Sequence, residues 1–152
     1  PGDNEDIGIG ELVQWNVYLD NQMGEVQYVA VRMKILNSSM PSPNSTSCIP
    51  STSPVVYEER RTLLVDEAWL FPLNWTINSI EQDDDFIVIE GISVNNRDIS
   101  VHAVSNNGIN YRFIFELWVY DDELGGFRFG WDSRDESHCA WTQVWFNVPL
   151  AT

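Results

Sequence analysis

Apolar and polar residues alternate along most of this chain with a period of two. In Leu12 to Leu19, the residues Val13, Trp15, Val17 and Leu19 share one face of an extended segment. Turn chemistry follows at Asp20-Asn21-Gln22-Met23-Gly24. Val29, Val31, Met33 and Ile35 then alternate with Val26, Tyr28, Ala30, Arg32 and Lys34, so the two segments predict a hairpin. The clearest strand is Tyr111 to Tyr120. It sets Tyr111, Phe113, Phe115, Leu117 and Val119 on one face and Arg112, Ile114, Glu116, Trp118 and Tyr120 on the other.

Shorter strands are predicted at 55–57, 61–65, 69–75, 86–92, 127–131 and 141–148, separated by Asn, Asp and Gly turns. Pro72 marks its segment as an edge strand or a bulge, and 77–85 reads as a polar connection. No stretch keeps a helical period over three turns, and no repeat is present. Eight or nine strands spaced this way predict an all-β, antiparallel, immunoglobulin-like sandwich. Residues 1–10 read as a flexible lead-in and 11–152 as a single domain. Residues 37–54, with four prolines, read as one long loop of the functional or decorated kind.

Composition narrows the classes. Aromatic residues make up 12% of the 152 positions, far too many for a disordered chain. No apolar run approaches membrane-spanning length, so any anchor or signal is expected outside this fragment. The net charge is −15, which repels phosphate backbones and anionic leaflets; nucleic-acid partners are not expected.

Two cysteines, Cys48 and Cys139, lie in turn-like segments and are expected to pair as a disulfide closing a loop of about 92 residues. Three Asn-X-Ser/Thr sequons, at Asn37, Asn44 and Asn74, are candidate glycosylation sites. Together they predict an extracytoplasmic setting, at the cell surface or tied to a membrane.

Four stretches carry a resemblance. They are Gly10-Glu11-Leu12-Val13 with Val17-Tyr18-Leu19-Asp20-Asn21-Gln22-Met23-Gly24, then Tyr28-Val29-Ala30-Val31-Arg32, then Trp69 to Pro72, and Phe115-Glu116-Leu117-Trp118. In this order they resemble an uncharacterised archaeal domain family found outside the membrane, beside predicted membrane segments. The versions from ammonia-oxidising archaea look most similar. The resemblance spans about residues 10–150. It implies an immunoglobulin-like sandwich and an envelope location, and it brings no catalytic residues.

Motifs for nucleophilic hydrolysis, phosphate cradling, dinucleotide binding or zinc are missing from the sequence. His138 directly precedes Cys139, and neighbouring residues on a strand face opposite ways, which argues against a blue-copper set. Three acidic runs are candidate cation sites, with calcium as the possible ion: Asp83-Asp84-Asp85, Asp121-Asp122-Glu123, and Asp132 with Asp135 and Glu136. None has EF-hand spacing, and a solvated acidic loop is the favoured reading of each. A glycosidase pair needs a carboxylate separation that sequence does not supply. Trp141 and Trp145 fall on one strand face and form a candidate ligand platform for a sugar ring or a protein contact. The expectation is therefore a non-enzymatic structural or interaction module without a required cofactor, whose partners are envelope proteins or glycans. A glycan-binding module, assisted by calcium, is the alternative.

Overall fold

A computed structural model describes residues 4–150. Twelve strands form three antiparallel-dominated sheets, with no helix among the described residues. The smaller layer runs β2 (Val13–Asp20), β5 (Ala68–Asp83), β6 (Phe86–Val94), β7 (Arg97–Asn106). The larger layer runs β1 (Glu5–Asp6), β12 (Trp141–Asn147), β8 (Tyr111–Asp121), β3 (Gln27–Leu36), β4 (Val55–Leu63), with β9 (Gly126–Phe129) also on β8. β10 (Trp131–Ser133) and β11 (Glu136–His138) make a separate ribbon.

The alternation does what period two demands. Phe113, Trp75, Ile77, Ile87, Ile89 and Tyr111 are fully buried between the layers. Trp15 enters the same core, edge-on to Trp75 at 5.2 Å and to Phe113 at 5.8 Å. The Tyr111 hydroxyl donates to the Ile87 carbonyl across the layers, and burial pushes its pKa well up. A β-sandwich is the result.

The expected hairpin of the first two long strands is not formed. β2 pairs with β5 in the smaller layer and β3 with β8 and β4 in the larger, so the turn at 20–26 crosses between layers, an arch that alternation alone does not distinguish from a hairpin. Several boundaries also differ from the sequence expectation. The segment 77–85 is not a connection, because β5 continues to Asp83. Its first half pairs with β2 and its second with β6, over a register shift around Ser79 that interrupts the alternation. Pro72 lies in the half where β6 is absent, so its missing N–H costs no ladder bond, and its carbonyl accepts from Asn95 Nδ2 at 3.0 Å. Strands expected at 55–57 and 61–65 are one strand, β4. Residues 1–3 of the expected flexible lead-in lie outside the described residues. Within it, Ile7 is fully buried and its amide donates to the Asn147 carbonyl, while β1 runs parallel to β12.

The loop 37–54 lies across the outer face of the larger sheet. Underneath it Ile114 is fully buried, Lys34 and Arg112 are 3% exposed, and Glu116 is 0% exposed. These side chains sit on what the alternation marks as the solvent face. The loop converts that face into a second interior.

Candidate functional site

One end of the sandwich gathers the acidic turns. β8 ends at Asp121, and Asp121 Oδ1 caps its own turn by accepting from the amides of Glu123 (3.0 Å) and Leu124 (3.2 Å). The chain returns through β9 to Gly130, whose φ of +101° and contact with the His138 carbonyl leave no room for a Cβ. It then folds as the β10–β11 ribbon, with Arg134 and Asp135 both at left-handed φ in its turn. The Trp131 and His138 rings stack at 5.8 Å across this ribbon.

Arg128 ties the two acidic turns together. Its Nη1 donates to Asp132 Oδ2 at 2.9 Å and its Nη2 to Asp132 Oδ1 at 3.1 Å, a bidentate fork. Nη1 also lies 3.7 Å from Asp121 Oδ2. The Asp132 carboxyl is held below its ordinary value by the Arg128 hydrogen bonds first and then by the Ser137 hydroxyl at 2.9 Å. The same partner raises Arg128. The β2–β3 connection, which crosses from one layer to the other, forms the facing wall. Asn21, 4% exposed, knots that connection to the end of β4 by donating to the carbonyls of Glu25, Leu63 and Leu64. Between these walls opens a groove of about 1170 Å³, lined by seven carboxylates against two arginines.

Asp121, Asp122, Glu123, Asp132 and Glu136 line this groove. Asp83, Asp84 and Asp85 do not; they form the β5–β6 turn, where the Asp85 carbonyl accepts from Asn107. That turn lies beside the start of β8, roughly 35 Å from its end at strand rise. No three His, Cys, Asp or Glu side chains group in a metal-holding arrangement among the described residues. At the groove, the place between Asp121 and Asp132 belongs to the Arg128 guanidinium.

The expected disulfide is not formed: Cys48 and Cys139 are both free thiols. They are nonetheless brought together, since both sulfurs face the Ser45 carbonyl, at 3.9 Å and 3.4 Å. Partial burial, and then the neighbouring Cys48 thiol, push Cys139 up to about 11. At neutral pH it stays protonated, and a protonated thiol does not attack.

Trp141 and Trp145 share the outer face of β12, both half-buried. Trp141 Nε1 donates to Ser45 Oγ at 2.9 Å, and the Arg112 guanidinium sits 5.0 Å from the Trp145 ring. The open aromatic surface lies elsewhere: Tyr28 and Tyr120 flank Phe127 at 5.0 Å and 5.6 Å, with Arg60 4.9 Å from the Phe127 ring. Among the sequons, Asn44 is exposed, whereas Asn37 and Asn74 are half-buried. Asn37 Nδ2, the atom a glycan would occupy, donates to the Val104 carbonyl at 2.7 Å.

Arg128 had no sequence signal, because nothing in its spacing says which carboxylates the topology sets beside it. Replacing Arg128 with Met is expected to return Asp132 to the ordinary carboxylate range in an NMR titration. In the wild type the tie persists as pH falls below about 3.8 and is lost only as pH passes through the depressed value. Unchanged Asp132 titration in the variant would remove Arg128 as the cause.

No protein-family model matches the chain, and a search of curated proteins finds no match.

Proposed function

We propose that this protein is a non-enzymatic interaction module of an archaeal cell-envelope protein, an immunoglobulin-like sandwich working outside the cytoplasm. The observation that carries the reading is the acidic groove at one end, where two turns are locked in place by Arg128. A rigid, concave, carboxylate-rich surface attracts a cationic partner and orients it, acting mainly on the encounter rate. The chemistry of Asp132 supports binding over catalysis: Arg128 keeps it ionised, the reverse of what a general acid needs.

The exterior location draws support from the exposed Asn44 sequon and from the juxtaposed thiols, which suit an oxidising compartment. A glycan-binding reading is the second choice, favoured by the open Tyr28–Phe127–Tyr120 surface beside Arg60. Calcium assistance belongs to that alternative.

The test is calorimetric titration with an oligolysine peptide in low salt and in molar salt. Binding is expected at low salt, at least tenfold weaker when Asp121, Asp122 and Glu123 become Asn, Asn and Gln, and lost in molar salt. Binding that survives molar salt, or ignores the triple substitution, would overturn an electrostatic groove. A melting shift of several degrees with one polysaccharide and none with oligolysine would favour the glycan reading.

A further inference from the structure

The smaller sheet ends in a strand whose outer edge pairs with no other strand among the described residues. β2 pairs with β5 on one side only, over a regular eight-residue register, and among the described residues its other edge makes no ladder. Exposed edges are hazards that proteins blunt with charge, proline, bulges or brevity. The other long edges are blunted in that way: β4 carries Glu58, Glu59, Arg60 and Arg61, and β7 carries Arg97, Asp98 and His102. β2 has no proline, no bulge and a single charge, Asp20, at its last position.

Beside this edge the two layers gape. Trp15 and Val17 of β2 are only half-buried, although they point inward. On the opposite lip Val144 is 38% exposed, and β1 covers β12 only at Phe146 and Asn147. Between the lips lies a cleft of about 510 Å³ walled by Trp15, Val17, Phe115, Thr142 and Val144, without a charged side chain.

From these observations we infer that β2 is a docking edge, which accepts an extended segment of another protein as an added strand. Main-chain bonds to β2 would hold it, and apolar side chains at every second position would fill the cleft beside Trp15 and Val17. The alternate, outward positions of that segment carry Lys or Arg, because the body they approach has a net charge of −15. The same charge opposes a second copy at this edge, since pairing β2 with its own image sets two such bodies side by side.

A short capped peptide of alternating valine and lysine is the probe, with its valine–glutamate counterpart as control. Hydrogen exchange and Trp fluorescence are read on the wild type, on Val144→Lys and on Leu70→Lys. Leu70 lies on the outer face, 63% exposed, so the two variants add the same charge in different places. The expected result is slowed exchange at the β2 amides with the lysine peptide, at least tenfold weaker binding to Val144→Lys, and little change for Leu70→Lys beyond the shared charge effect. Melting curves check that both variants are folded. Equal weakening in both variants, no protection of β2 at millimolar peptide, or a dimer of the free protein that already protects β2 would overturn the inference. Protection confined to the 121–136 turns would also overturn it while leaving the acidic-groove reading intact.

Discussion

Glu116→Gln and Lys34→Met are each expected to destabilise the protein by about 3–5 kcal/mol, the cost of leaving one member of a buried ion pair alone. Lys34 Nζ lies 2.8 Å from Glu116 Oε1, with the two side chains 4% and 0% exposed. The pair is also the clasp of the 37–54 loop. Lys34 donates to the Ser51 carbonyl, the Ser51 amide donates to Glu116 Oε2 at 2.7 Å, and Trp118 Nε1 donates to Glu116 Oε1 at 3.1 Å. Arg112 holds the same loop further along, by donating to Ser42 Oγ and to the Met40 carbonyl, both at 2.6 Å.

The double variant Lys34→Met with Glu116→Gln removes both charges but leaves either the Ser51 or the Trp118 donor facing an amide NH2 in place of a carboxylate oxygen. It should therefore still lose stability, yet by roughly 2 kcal/mol less than the sum of the single losses. Urea unfolding measures all three. Exchange at the Ser51 amide should quicken in each variant. Single losses under about 1 kcal/mol would mean that the pair behaves as a surface pair and the loop is held by something else.

Oxidising Cys48 and Cys139 to a disulfide should give the second-largest effect, a rise in melting temperature of roughly 10 °C. The chain-entropy argument for a closed loop of about 92 residues gives about 4–5 kcal/mol as an upper figure, and a chain of this length gains about 2–4 °C per kcal/mol. Cys139→Ser should abolish the gain and leave the reduced protein nearly unchanged.

The reaction itself should be slow at neutral pH and accelerate as pH climbs toward 11, because Cys139 must ionise first. A stability consequence follows with a definite sign. The folded state holds the Cys139 proton to about 11, whereas an unfolded thiol releases it near 9. The reduced protein should then keep this contribution below about pH 9 and lose it progressively between 9 and 11. An oxidised sample that melts with the reduced one would show that the loop and the β11–β12 connection are not close enough to bridge without distortion.

How much was legible depended on whether one residue's neighbours decide its fate. The inward set of β8, from Tyr111 to Val119, and the place of Trp15 followed directly from period two. β5 was misread at 77–85 because the shift at Ser79 breaks the alternation, and because Glu81, Gln82 and Asp83 are exposed at its tip. Lys34, Arg112 and Glu116 were legible as one face but not as a buried one. What buries them is a loop, and loop placement has no periodicity.

A faint signal did exist. The polar face of β8 also carries Ile114 and Trp118, which a fully solvated face has little use for. The acidic runs were legible as loops, but their grouping was not. Asp121 and Asp132 meet at Arg128 while Asp83–Asp85 sits a strand length away, and only the sheet order decides that.

The central claim, that the acidic end is where this module meets its partner, is tested most directly by following backbone amide shifts while oligolysine is titrated at low salt. The expected shifts cluster at Asp121–Glu123, Asp132–Glu136 and the facing β2–β3 connection, and they vanish in molar salt. Shifts spread evenly over the acidic surface, with Asp83–Asp85 responding as strongly as the groove, would contradict it.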